Sequence, residues 1–302
     1  MARIYDHAYF DGAIVPIADA NLSIASSAVL YGLSVYTVFP VCKGDDGLYG
    51  FRLKEHAKRL TNSARIIGLE TEVTEEQLVA AAKELIRANA VNEDVFVRVT
   101  LHATDLVPGV RSRGLTVKLS IFVYEAACIL PKEGARLKTS VWRRVPDYAI
   151  PSRAKVNGAY VNSVLAKQDA LDSGYDDCIF LDVSGHVCEL SAANIFLVRN
   201  GILLTPDRSS DILEGISRET VLELATDLGI ETCERTIDFT ELYVADEVFA
   251  CGTSALLTSV KEIDMRKIGN GEAGPITKKL QELYFDVQHG KEPKYSNYLT
   301  QF

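Results

Sequence analysis

The sequence predicts an α+β fold in two parts, and three observations carry that expectation. Two segments in the first half have apolar residues at helical spacing between strand-like runs. The second half packs short strands around the tight turns Ser184-Gly185 and Asn200-Gly201. Those strands follow one another as hairpins rather than as alternating strand–helix–strand units.

The elements follow in order. The first ten residues and Ala13–Ile17 are strand-like and flank Asp11-Gly12, a strong hairpin signal. After Tyr31-Gly32, Ser34–Cys42 reads as a strand. Leu53, Ala57, Leu60, Ala64 and Ile67 then repeat at helical spacing up to Gly68, which closes the helix. A second helix spans Thr74 to Ala90, with Thr74 as its N-cap. Strands follow at Val95–Leu101 and Leu115–Val123. These elements form an α/β domain over residues 1–128, and residues 129–134, which contain Pro131 and Gly134, form a linker. Residues 135–302 form a larger domain. It starts with the strand Lys138–Trp142 and a Pro-punctuated loop, then a helix over Tyr160–Leu171. The hairpins come next, Ile179–Val183 with His186–Leu190 and Ile195–Arg199 with Ile202–Thr205. Helices at Ser217–Leu228 and Pro275–Tyr284 complete the domain.

Composition narrows the function classes. A chain of 302 residues has room for about two domains. With 47% apolar and 24% charged residues it is not a disordered chain. No apolar run approaches the ~20 residues of a membrane span, and MARIYDHAYFDG has no signal-peptide core. A net charge of −9 without a basic run disfavours nucleic acid and anionic membrane as partners. The six cysteines, Cys42, Cys128, Cys178, Cys188, Cys233 and Cys251, form no CxxC pair. No histidine stands at ligand spacing from two of them, so reduced, mostly buried thiols in a cytoplasmic protein are expected, and no metal. The sequon at Asn21 is then incidental.

Gly269-Asn270-Gly271-Glu272-Ala273-Gly274 fits GxGxxG. It follows a Lys-rich stretch and runs into Pro275 rather than joining a buried parallel strand to a helix, so a surface turn is expected, not a nicotinamide site. No GxxxxGK[ST], GxSxG or HExxH is present, and the five histidines are scattered.

Four features converge on one chemistry. Lys155 lies in a loop ahead of a helix, where the helix N-terminus and desolvation disfavour the ammonium and keep the amine nucleophilic, with Tyr160 five residues on. Glu189 lies in a strand of a sheeted domain, where a buried carboxylate needs a cationic partner, and a protonated pyridine nitrogen would serve. Leu213-Glu214-Gly215-Ile216-Ser217-Arg218 runs from a glycine turn into a helix whose free N–H groups suit phosphate. Gly252-Thr253-Ser254-Ala255 follows an apolar strand and offers amides and hydroxyls to an anion. Singly, each has a commoner structural meaning: a solvated lysine, an edge glutamate, a capped helix and a strand-terminal turn. In this order they are the parts of a pyridoxal 5'-phosphate site.

The chain also resembles the class IV aminotransferases, the superfamily of branched-chain aminotransferases and D-amino-acid transaminases. The landmarks are Tyr31-Gly32, the helix with EHAKRL, Lys155 to Tyr160, CELSAANIF, LEGISRE, CGTSALLTSV and GPITKKLQELYFD, spread over nearly the whole chain. The resemblance implies fold type IV, with a small α/β domain and a larger pseudo-barrel domain. It implies that Lys155 forms a Schiff base with the cofactor and shuttles the proton. Tyr160 would meet the phenolate oxygen, Glu189 the pyridinium nitrogen and Leu213 the ring face. Arg59, Gly215, Ile216, Ser217 and Thr253 would hold the phosphate, and the amides of Ser254 and Ala255 the substrate carboxylate.

Tyr31, Tyr36, Phe96 and Arg98 match the apolar pocket with one arginine of the branched-chain enzymes. Leu101 stands where D-amino-acid enzymes place an arginine. The chain departs from the branched-chain pattern at Val38, Pro40, Glu125, Cys128, Leu256 and Ser259. The expected activity is ping-pong transamination between a hydrophobic, branched-chain amino acid and 2-oxoglutarate. The expected assembly is a homodimer, with Tyr31 and Arg98 as candidates to serve across its interface. The alternatives are a D-amino-acid or (R)-selective amine transaminase, a lyase of aminodeoxychorismate type, and a non-catalytic member of the family.

Overall fold

The computed structural model describes residues 2–302, which form two compact units. The first comprises residues 2–127, 154–159 and 286–302, and the second residues 128–153 and 160–285.

The first unit contains β1 (Ile4–Phe10), β2 (Ala13–Pro16), the short helix α1 (Ser27–Tyr31), β3 (Ser34–Lys43), β4 (Leu48–Phe51), α2 (Leu53–Ile66), α3 (Glu75–Ala88), β5 (Val95–Ala103) and β6 (Val117–Glu125). Its antiparallel sheet runs β16-β4-β3-β5-β6-β1-β2, where β16 is Leu299–Gln301 near the end of the chain. Strand alternation sorts the two faces of this sheet. Val95, Val97, Val99 and Leu101 of β5 and Val35, Phe39 and Val41 of β3 join the helix-packed core. Phe96 and Arg98 point the other way, opposite Pro40 and Val38 in register. Helix α2 buries Leu53, His56, Ala57, Leu60, Ser63 and Ala64, a spacing that keeps one face on the sheet. Leu60 and Leu85, both fully buried, each contribute roughly 2 kcal/mol of transfer free energy. Helix α3 starts at the expected Thr74 N-cap, where Thr74 and Gln77 form a reciprocal capping box.

The expected division at 128 and 135 places everything after the linker in one domain, whereas two later segments join the first unit. Val156 pairs with Val35, and Ala154 and Val156 enter the first core. β16 pairs antiparallel with β4. Sequence periodicity describes neighbours along the chain and carries no record of such returns.

The second unit contains β7 (Ala135–Arg143), α4 (Tyr160–Asp172), β8 (Asp177–Leu181), β9 (Val187–Leu190), β10 (Asn194–Arg199), β11 (Ile202–Thr205), α5 (Ile216–Asp227), β12 (Thr232–Glu234), β13 (Glu247–Gly252), β14 (Leu256–Ile263), β15 (Arg266–Lys267) and all but the last three residues of α6 (Pro275–Gln288). Its sheet runs β12-β11-β10-β13-β14-β7-β8-β9, with β15 on β14. The expected hairpins β8–β9 and β10–β11 are present. The sheet is mixed rather than a pure meander. α4 carries the chain over from β7 to β8, and α5 from β11 to β12, so both of those pairs are parallel.

The Gly269–Gly274 stretch is a turn between β15 and α6, with Gly269 and Gly271 at positive φ. The Glu247 carboxylate accepts the Ile276 and Thr277 N–H groups at 3.1 and 2.7 Å, filling the N-terminus of α6 that a nucleotide phosphate would need. All six cysteines are free, four of them buried. No helix among the described residues is long and apolar enough to cross a membrane.

Candidate active site

The first unit presents the lysine. Residues 155–158 lie along the start of β3. The Tyr36 N–H donates to the Lys155 carbonyl at 3.0 Å, and the Asn157 N–H to the Ser34 carbonyl at 2.9 Å. Gly32 and Gly158 make this approach possible, since a Cβ on Gly32 would stand 2.7 Å from the Gly158 Cα. Lys155 is half-buried, and its Nζ lies 4.9 Å from the centre of the Tyr36 ring. On the same ring the Arg98 guanidinium stacks at 3.6 Å, and it donates to the Asn157 Oδ1 at 2.6 Å. One aromatic side chain therefore bears both the amine and the guanidinium. Phe96, 2% exposed, shares the face of β5 that carries Arg98.

Helix α2 connects this group to Arg59. Arg59 Nη2 donates to the Thr37 hydroxyl at 3.0 Å, and that hydroxyl meets His56 Nδ1 at 2.7 Å. Burial first, then the cations Arg59, Lys155 and Arg52, push the His56 imidazole well below its usual range. A neutral His56 accepts the Thr37 proton at Nδ1, which leaves the Thr37 oxygen to receive Arg59. One turn on, Ser63 Oγ donates to the Arg59 carbonyl at 2.7 Å and accepts the Lys155 N–H at 3.1 Å. Lys155, Arg59, Tyr36 and Arg98 are thus brought together. Tyr31, at the end of α1, is 45% exposed. Leu101 faces the helix-packed core and is fully buried.

The second unit presents the carboxylate. Glu189, on β9, is 5% exposed. Its Oε1 is 2.8 Å from Arg144 Nη2, and its Oε2 accepts Asn194 Nδ2 at 3.0 Å and the Leu213 N–H at 3.1 Å. The cation that the sequence requires is supplied within the chain by Arg144, whose Nε also donates to the Asp211 carbonyl at 3.3 Å. Asn194 Nδ2 donates as well to the Leu213 carbonyl at 3.0 Å, locking the turn that feeds α5. A Cβ on Gly215 would overlap the Asn194 Oδ1, so glycine is required there. Gly215 is the N-cap of α5, which Ile216 and Ser217 open. The Tyr284 hydroxyl donates to Ser217 Oγ at 2.9 Å.

Asn194 pairs in register with Cys251, one residue before the Gly252–Ala255 turn. Thr253 and Ser254 are half-buried in that turn and Ala255 is buried. The Ile129 N–H donates to the Ser254 carbonyl at 3.0 Å, and Cys128 Sγ and Thr258 Oγ1 both reach the Ala255 carbonyl, at 3.5 and 2.7 Å. Leu256 closes the turn at φ +51°, a left-handed conformation unusual for leucine and often seen at functional turns. Tyr160, half-buried, is the first residue of α4.

The amino-transferase class IV family model matches residues 35–263 of this sequence. The chain belongs to the class IV aminotransferases. This class IV aminotransferase is 44% identical over 299 residues to the probable branched-chain-amino-acid aminotransferase of Aquifex aeolicus, a match covering 98% of this chain and 96% of that one. Its structure aligns with the branched-chain aminotransferase of the archaeon Thermoproteus uzoniensis, solved with norvaline. The TM-score is 0.95 at 39% identity, over 98% of this chain and 99% of that one. It aligns as well with the enzyme of Thermobaculum terrenum in its PLP-bound holo-form, at a TM-score of 0.93 and 33% identity over 98% of each chain. The expected fold class, α+β of fold type IV, is the fold observed.

Sequence reasoning missed Arg144, Asn194, Thr37, His56, Ser63 and Asn157. Asn194 lies inside CELSAANIF, five residues from Glu189, and Asn157 two from Lys155. Their amides next to the charged groups were the available signal. Arg144, 45 positions before Glu189 in an Arg-Arg pair, gave none.

Proposed function

We propose that this aminotransferase uses pyridoxal phosphate to exchange an amino group between a hydrophobic, branched-chain amino acid and 2-oxoglutarate in a ping-pong cycle. The observation that carries this reading is the shared Tyr36 ring, with Lys155 Nζ at 4.9 Å and the Arg98 guanidinium at 3.6 Å. An amine for the chemistry stands beside a cation for a side-chain carboxylate. The apolar residues Tyr36, Val38 and Phe96 suit a branched aliphatic chain. The relatives named for branched-chain substrates over nearly the full chain support the same choice.

The donor set fits the cofactor. A half-buried amine, a buried charge-paired carboxylate and a helix N-terminus opened by Gly215 match its aldehyde, ring nitrogen and phosphate. Lys155 would hold it covalently, Glu189 its ring nitrogen, Tyr160 its phenolate oxygen and Leu213 its ring face. Arg59, Ile216, Ser217 and Thr253 would hold its phosphate. When bound, the cofactor supplies a sink for the electron pair left as the α-proton departs.

The protein's part is proton handling and orientation. Lys155 Nζ would be the group that takes the substrate α-proton and hands it back, and it must be neutral to take it. The Ser63 hydroxyl holds the Lys155 backbone, so the Nζ swings from a fixed point. Arg144, Asn194 and the Leu213 amide hold the Glu189 carboxylate in place. The amides of Ser254 and Ala255 would bind the α-carboxylate of either substrate, and Arg98 the second carboxylate of glutamate or 2-oxoglutarate.

The assembly proposed is a homodimer. Helix α4 turns Ser163, Ala166 and Ala170 inward and leaves Val161, Val164, Leu165 and Leu171 between 42% and 64% exposed. A helix with its larger apolar residues outside is built to be covered.

A half-reaction screen tests the substrate assignment. The holoenzyme is mixed with leucine, valine, D-alanine or (R)-1-phenylethylamine, and conversion of the cofactor to its amine form is followed by absorbance. Leucine and valine are expected to convert it. Silence from both, with turnover of the other two, overturns the branched-chain assignment. Product formation without any 2-oxo acid acceptor would identify a lyase instead.

A further inference from the structure

Cys42, Asp94 and His289 have no part in the proposed chemistry, yet they converge in the first unit from three distant stretches of sequence. Cys42 lies near the end of β3, Asp94 immediately before β5 and His289 just after α6. The Cys42 Sγ, an Asp94 carboxylate oxygen and an imidazole nitrogen of His289 all lie within 4.8 Å of one another. His289 Nε2 and Asp94 Oδ2 are 3.1 Å apart. Cys42 and His289 are buried, at 5% and 9% exposure, while the Asp94 side chain is 44% exposed.

We propose that these three side chains form a binding site for one divalent cation of the zinc class. One thiolate, one imidazole and one carboxylate are the ligand types zinc selects, and hard cations such as calcium and magnesium avoid sulfur and nitrogen. The two anionic ligands neutralise a dication. Ligands at about 2.0–2.3 Å from zinc stand roughly 3.3–3.8 Å apart in a tetrahedron, so a small contraction of the existing cluster completes three corners. Water entering from the Asp94 side takes the fourth. On binding, the cation replaces the hydrogen bond between His289 and Asp94, and the Cys42 thiol proton leaves to solvent.

The surroundings are built rather than accidental. The Lys43 N–H donates to Asp94 Oδ1 at 2.8 Å, which leaves Oδ2 toward the cluster and fixes the carboxylate as second-sphere donors do in metal sites. Gly44 and Gly290 flank two of the ligands at points of close approach. A Cβ on Gly44 would stand 2.7 Å from the His289 carbonyl, and one on Gly290 3.0 Å from the Tyr49 ring. The bound cation would staple the segment after α6 to the β3 and β5 strands of the first unit. The spacing arguments of sequence analysis miss such a site, because its ligands lie 52 and 195 positions apart.

The test uses the holoenzyme, stripped of adventitious metal with a chelator and exchanged into chelator-free buffer. Zinc titration by calorimetry is expected to show one equivalent bound at micromolar or tighter Kd. Zinc-edge X-ray absorption on the wild type is expected to show one sulfur near 2.3 Å with nitrogen and oxygen neighbours. Cys42→Ser, Asp94→Asn and His289→Gln should each weaken binding at least tenfold, while Cys233→Ser binds as the wild type does. Zinc should raise the Tm of the wild type but not that of Cys42→Ser. The proposal is overturned if the folded wild type binds no zinc below millimolar concentration, if the absorption spectrum contains no sulfur, or if Cys42→Ser binds unchanged. The absorption measurement needs no variant, so it decides the matter even where a substitution impairs folding.

Discussion

Arg144 Nη2 sits 2.8 Å from Glu189 Oε1, and the two side chains are only 13% and 7% exposed. Removing one partner of such a pair strands a buried charge, at a cost of about 3 kcal/mol or more. Arg144→Met is therefore expected to lower the Tm of the cofactor-free protein and to weaken cofactor retention. Adding Glu189→Gln to Arg144→Met should recover part of the lost stability, because no charge then remains uncompensated. Thermal melts of the wild type, both single variants and the double variant measure the coupling. Additive losses would mean that the pair is not a unit.

Lys155→Ala should abolish the visible absorbance of the bound cofactor and reduce turnover by at least about 10²–10⁴-fold, the contribution of a positioned proton-transfer group. Glu189→Gln should keep the cofactor bound and lower kcat by about 10²-fold, an electrostatic loss. Absorbance spectra and single-turnover rates separate the two variants. A Lys155→Ala protein that retained both absorbance and rate would remove the lysine from the mechanism.

The Arg98 guanidinium, stacked on Tyr36, is assigned to the distal carboxylate of the acidic substrate. Arg98→Met is expected to raise the KM for glutamate and 2-oxoglutarate by about 10–100-fold, equivalent to a charged hydrogen bond of about 1.5–3 kcal/mol. The leucine half-reaction should change much less. Equal loss for leucine and glutamate would show that the residue serves the fold instead.

Acidification should destabilise the protein through two histidines. Burial, then Arg59, Lys155 and Arg52, push His56 well below its usual range, and burial with Arg98 lowers His102 to about 4. Both imidazoles are neutral in the folded protein and protonate more readily in the unfolded chain. Their contribution is complete above pH 6.5 and is lost as the pH falls below it, by up to about 1.4 kcal/mol per pH unit for each. Urea melts between pH 7 and pH 5 should show this slope, and His102→Gln should reduce it.

The exposed apolar stripe of α4 predicts that Val164→Asp shifts the protein from dimer to monomer without changing its far-ultraviolet circular dichroism. Light scattering after gel filtration reads the mass. A wild type that runs as a monomer would leave the stripe without the assigned role.

Much of this was legible in the sequence because its signals are local. The Thr74 capping box, the α2 period from Leu53 to Ala64 and the hairpins around Asp11-Gly12 and Asn200-Gly201 need only neighbours along the chain to be recognised. So does the strand alternation that sends Arg98 one way and Leu101 the other. Lys155 and Glu189 carried no signal singly; they were legible only in their order along the chain with the two later anion-binding turns. Arg144 was invisible because an arginine just past a strand is ordinary until its distant partner is known. The parallel pairing of β7 with β14 and the cluster at His289 were hidden for the same reason.

Strand β16 pairs with β4, although nearly 250 residues separate them. During synthesis, the strand that completes the first sheet leaves the ribosome after the whole second unit. Until then β4 is an open edge, with unpaired backbone groups exposed to any passing strand. The growing chain thus has a long interval of vulnerability, and slowed translation or removal of residues 299–301 should favour aggregation over loss of catalytic chemistry.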